Sequence, residues 1–96
     1  MLAAEKGLTK IAIEVRSFTL PSFPYEFYTI LGQYLNYQSF LEIQEPDRVL
    51  YLAVAENVYE KHFLLDEATQ FIVDKFNMNL FVFDADGKVV ERWIRR

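Results

Sequence analysis

From residue 10 to residue 18 apolar and polar positions alternate, with Ile11, Ile13 and Val15 on one side and Ala12, Glu14 and Arg16 on the other. A period of two marks a half-buried strand. Pro21 and Pro24 close it, and Pro24 suits the first turn of a helix because its missing N–H would be unpaired there anyway. Between Tyr25 and about Ile43 the spacing changes to three and four. Phe27, Ile30, Leu31, Tyr34, Leu35 and Leu41 then form one apolar stripe of a long helix, which Pro46 stops.

Residues 48 to 54 are nearly continuous in apolar side chains, the pattern of a central strand covered on both faces. A second helical region spans about residues 56 to 76. It breaks near Leu65 and Asp66, where Asp66 caps a new helix carrying Ala68, Ile72 and Phe76. Residues 80 to 83 form another buried strand, and Asp84-Ala85-Asp86-Gly87 turns the chain back as a hairpin into residues 89 to 94. The pattern reads strand, helix, strand, helix, strand, strand. It predicts a mixed sheet flanked by helices, with residues 11–17 and 48–54 side by side and parallel and the long helix crossing between them.

Composition bounds this picture. A chain of 96 residues is expected to make one domain, and its hydrophobic fraction of 52% and aromatic fraction of 17% exclude intrinsic disorder. With no cysteine there is no disulfide framework and no thiolate zinc site, and no targeting or membrane-spanning stretch is evident, so the cytoplasm is the expected location. The formal charge of −4 gives no broad field favouring nucleic acid, so a DNA contact would have to be local. Lys6, Lys10 and Arg16 near the start and Arg92, Arg95 and Arg96 at the end could form such patches, although solvated surface accounts for them more simply.

Two constellations could carry chemistry. Glu14 and Arg16, two apart on a strand, project an acid and a base to one side, like the E-x-K half of a PD-(D/E)xK nuclease site. There a carboxylate holds a divalent cation and a Lys orients or activates water. An ordinary solvated strand face is the commoner meaning of acid-x-base. Gln33 and Tyr37, four apart, are neighbours one turn apart on the helix flank, where an amide and a phenol can hydrogen-bond a phosphate or a basic partner. Asp84, Asp86 and Glu91 lack the spacing and length of a calcium loop and read as a hairpin turn. His62 reads as a helix-surface residue, and Trp93 as a packing or edge residue before an interface anchor.

The runs Leu2-Ala3-Ala4-Glu5-Lys6-Gly7, Ile11 through Phe18, Phe27 through Tyr37 and Glu45 through Val54, with the closing Trp93-Ile94, resemble the XisH family over essentially the whole chain. Those proteins are known as fdxN-element excision controlling factors, associated with programmed DNA excision in cyanobacteria and usually accompanied by a small partner, XisI. The resemblance implies a restriction-endonuclease-like α/β (α+β) fold in the order β-β-α-β-α-β-β. Two departures stand out. The family's N-terminal helix and metal-binding Asp lie upstream of the Ala-Ala-Glu-Lys-Gly segment at which this chain begins, and the family's Lys is Arg16 here. Carried over, Glu14 (metal ligand), Arg16, Gln33 and Tyr37 form a remnant catalytic site.

These observations predict a non-catalytic regulator associated with DNA or a XisI-like partner. A competing reading is an active endonuclease using Mg2+ or Mn2+, if Glu5 or another chain completes the site. A third is a protein-interaction scaffold. No small-molecule substrate or membrane is implied, and a homo-oligomer or a complex with a XisI-like chain is expected, because the segment upstream of the start would cover a sheet edge.

Overall fold

The computed structural model describes residues 2–16, 18, 23–84 and 90–95. Its element order is β-β-α-β-α-β-β, with the second helical region in three pieces. The hairpin turn expected after Asp84, the place of Pro21 and the calcium-loop question at Asp86 lie outside the described residues. The chain divides into two compact units, Met1–Tyr51 and Leu52–Arg96, and strand β3 (Val49–Ala55) runs through the boundary.

In the first unit β1 (Leu2–Lys6) and β2 (Thr9–Val15) form an antiparallel hairpin in which Lys6 faces Thr9. The two-residue loop is Gly7-Leu8, and Gly7 has φ +62 while Leu8 has no positive φ, as a type II′ turn requires. All five residues of β1 are exposed. A strand with no buried side has no period-two signature, which is why the hydrophobic pattern does not reveal it.

The order in this unit is β1-β2-β3. Lys10 Nζ lies 3.6 Å from Asp47, and Arg48 donates to the Ile11 carbonyl at 2.7 Å. The first residues of β2 thus meet the approach to β3, which places the two strands side by side and running the same way. Helix α1 (Phe23–Gln44) makes the connection that parallel neighbours need. It buries Phe23, Phe27, Ile30, Tyr34 and Leu41, while Leu31 and Leu35 are half-buried. The Tyr34 hydroxyl donates to the Leu50 carbonyl at 3.2 Å, so a core aromatic keeps its polar end paired.

In the second unit β3 neighbours β4 (Asn79–Phe83), and β4 pairs antiparallel with β5 (Val90–Ile94). Leu50 to Val54 are at most 3% exposed, as a strand covered on both faces must be. Phe81 faces Trp93 across the hairpin with ring centroids 4.4 Å apart, edge to face, which gives Trp93 its packing role.

The second helical region starts as a three-residue α2 (Glu56–Val58) and widens into a π-helix, Tyr59–Leu64. It breaks at Leu65 and restarts as α3 (Glu67–Lys75). Asp66 caps α3 as expected, accepting from Ala68 N at 3.0 Å and from Thr69 Oγ1 at 3.0 Å. The face that α3 buries differs from the expected one. Thr69 and Val73 are buried, Ala68 is exposed and Phe76 is 40% exposed. Asp66→Ala should cost about 1 kcal/mol by urea unfolding, and Asp66→Asn much less, because asparagine caps nearly as well.

His62 is half-buried on the π-helix. Partial desolvation first, then the neighbouring Lys61, holds its pKa below the ordinary histidine value, with Asp66 opposing. The fold therefore favours neutral His62. Its contribution is fully present above the unfolded value of 6.5 and is lost as pH falls through the lower folded value. A small decline in melting temperature below that pH, reduced in His62→Gln, is the expected result.

Candidate functional site

Strand β2 and helix α1 bring together three of the four residues singled out in the sequence. Glu14 is only 6% exposed, so the pair it makes with Arg16 is not the solvated strand face that acid-x-base usually signifies. Arg16, one residue past the end of β2, places Nε 3.1 Å from Glu14 Oε1. Its Nη2 donates to Gln33 Oε1 on α1. The arrangement inverts the expected sides of the strand in one respect: Val15, grouped with Ile11 and Ile13 by alternation, is 49% exposed, whereas Ala12 and Glu14 are buried. Gln33 on α1 supplies the polar group that meets Arg16.

Tyr37 stands one turn further along α1 and is half-buried. It lines a shallow, largely apolar groove of about 460 Å³ with Asn36, Ser39, Phe40 and Ile43. The Gln33 and Tyr37 positions thus serve different surroundings.

The chemistry of the cluster follows from its members. A carboxylate next to a guanidinium is neutralised by a group that stays protonated at any ordinary pH, so Arg16 neither leaves the carboxylate free nor transfers a proton. Glu5, the in-chain candidate for a second carboxylate, stands opposite Lys10 in the hairpin register. That is four residues along β2 from Glu14, about 13 Å at the rise of a strand. It does not complete the site. Among the described residues no three His, Cys, Asp or Glu side chains gather where they could hold a metal ion. One carboxylate already paired with an arginine does not fit Mg2+ or Mn2+, which take several oxygen ligands.

A residue that sequence reasoning passed over organises the other end of the same strands. Arg48 Nε and Nη2 each donate to Glu45 at 3.1 Å, and Nη1 donates to the carbonyls of Ile11 at 2.7 Å and Ala4 at 3.2 Å. Ala4 and Ile11 are register partners, so one guanidinium reaches across the β1–β2 pair at the mouth of β3. The available signal was a lone Arg opening an apolar strand directly after Glu45-Pro46-Asp47.

No helix among the described residues is long and apolar enough to cross a membrane. No curated protein matches the chain. Two solved structures are similar to it. One is the fdxN element excision controlling factor protein from Anabaena variabilis, 42% identical, with 97% of this chain and 72% of that one covered at a TM-score of 0.89. The other is an XisH family protein from Nostoc punctiforme PCC 73102, 37% identical, with 97% and 73% covered at a TM-score of 0.89. The family model described as XisH protein matches residues 1–91, and with these two relatives it shows that the chain belongs to the XisH family.

Proposed function

We propose that this chain is an excision controlling factor that acts in the cytoplasm by binding, as a regulator, and does not cut DNA itself. The observation that carries this reading is the state of Glu14: the one carboxylate at the position of a nuclease site is buried against Arg16, which Gln33 holds in place. The name of the Anabaena variabilis relative supports the first half of the proposal. The −4 charge favours a protein partner, a XisI-like chain or a second copy, over extended contact with DNA phosphates.

A nuclease assay on plasmid and single-stranded DNA tests it. With Mg2+ or Mn2+ in excess, the purified chain should leave both substrates intact. Metal-dependent cutting that vanishes in Glu14→Ala would overturn the proposal and establish the endonuclease reading in its place.

A further inference from the structure

The outer face of α1 is unlike an ordinary solvent-facing helix. Its exposed residues Tyr25, Tyr28, Gly32, Asn36, Phe40 and Ile43 recur at spacings of three and four, so they form one stripe along the helix. Exposure is 68% at Tyr25, 58% at Tyr28, 56% at Phe40 and 80% at Ile43. No charged residue lies on this stripe. The charged residues of α1, Glu26 and Glu42, flank it to either side. Solvated helix faces are normally rich in charge, and exposed apolar stripes with polar flanks mark interaction surfaces.

The order of the stripe says what it fits. About Tyr34 as midpoint, Gly32 mirrors Asn36, Tyr28 mirrors Phe40 and Tyr25 mirrors Ile43. A two-fold axis beside the middle of α1 therefore sets large apolar side chains of one copy against large apolar side chains of the other at both ends. Small residues meet at the centre. A two-fold interface must be self-complementary in this way. Close approach at the centre is open, because a Cβ added at Gly32 meets nothing within 4 Å. At the ends, the groove of about 460 Å³ lined by Tyr37, Phe40 and Ile43 lies where Tyr25 and Tyr28 of the second copy arrive.

The available area agrees. Aromatic side chains bury roughly 150–250 Å² each, so three aromatics more than half exposed, together with Ile43, offer on the order of 400–500 Å² per copy. Across two copies this reaches about 1,000 Å², the rough threshold for a specific interface, before the central residues are added.

We infer that the outer face of α1 is a homodimer interface in which two copies of the helix pack antiparallel about a two-fold axis near Tyr34. This rests on the reading that the chain works by binding and gives that reading a partner, but the two fail separately, since DNA cutting would refute the first without touching the dimer.

Sedimentation equilibrium of the full chain over a micromolar dilution series tests the inference through a charge pair. Tyr28→Glu and Phe40→Lys each place an unpaired charge opposite an apolar side chain and should weaken dimerisation at least about tenfold, a cost of roughly 1.4 kcal/mol or more. The double variant sets Glu against Lys at both ends and should recover most of the loss. So should a mixture of the two single variants. Both positions are exposed, so far-UV circular dichroism should show all three variants folded. A monomer of 11.4 kDa throughout the series would overturn the inference and leave the face to a different chain. A dimer indifferent to either single substitution, or one the double variant fails to restore, would overturn it equally.

Discussion

Replacing Arg48 by methionine is expected to lower the stability of the fold by about 3–4 kcal/mol, because several hydrogen bonds to one buried charged group fail together. The Arg48 side chain is 13% exposed and binds the Glu45 carboxylate and the carbonyls of Ala4 and Ile11. Methionine keeps most of the packing volume and none of the donors. Lysine should recover little: an ammonium has no planar fork to grip a carboxylate with two nitrogens while also spanning two carbonyls. Urea unfolding gives the free energies, and amide exchange should quicken in β1 and β2 of Arg48→Lys more than in β5. A loss below about 0.5 kcal/mol, the range of ordinary surface substitutions, would show that the guanidinium does not hold these strands.

The second large effect lies at Arg16. Breaking a buried ion pair from one side costs about 3–5 kcal/mol. The Arg16 side chain is 32% exposed, so the pair is partly screened by water to begin with, and Glu14 keeps further interactions once Arg16 is gone. For Arg16→Met we expect about 2–3 kcal/mol, or on the order of 10–20 °C in melting temperature for a chain of this size. Removing both charges should cost less than removing one, so Glu14→Leu/Arg16→Met should be more stable than Arg16→Met alone. The reverse order would mean that Glu14 is held by groups other than the arginine. The comparison bears on function too, since a pair kept for its structural worth is a poor place to look for turnover.

The parts of the fold that the sequence displays are those where burial follows a single period. Helix α1 shows itself because Phe27, Ile30, Tyr34 and Leu41 keep the three-four spacing of the buried face, and β3 because every residue from Leu50 to Val54 is buried. The Asp66 cap is equally legible, since a short acidic side chain at a break in an apolar run has few other uses. Strand β1 is hidden by having no buried side, and the π-helix by a period that helical reading does not test for. The site divides along similar lines. Alternation placed Glu14 and Arg16 on one side of the chain, but it could not tell that Glu14 is buried there. Spacing put Gln33 and Tyr37 next to each other, yet it could not tell that one faces the ion pair and the other a groove. The pairing of Arg48 with Glu45 was open to a sequence reading, but its reach across the strands was not, because those partners are backbone carbonyls 37 and 44 residues away and carbonyls leave no mark on a sequence.

The π-helix has a consequence for how chain length can vary among relatives. A π-turn carries about one residue more than the α-helical turn that would cover the same length, and such segments behave as single-residue insertions in otherwise regular helices. Tyr59–Leu64 is therefore the stretch of the second helical region able to give up a residue by tightening into α-helix. The cap at Asp66 and the start of α3 would stay where they are. A deletion within α3 has no such slack, because it turns Thr69 and Val73 away from the interior. Aligned homologues one residue shorter in this region should carry their gap between positions 59 and 64.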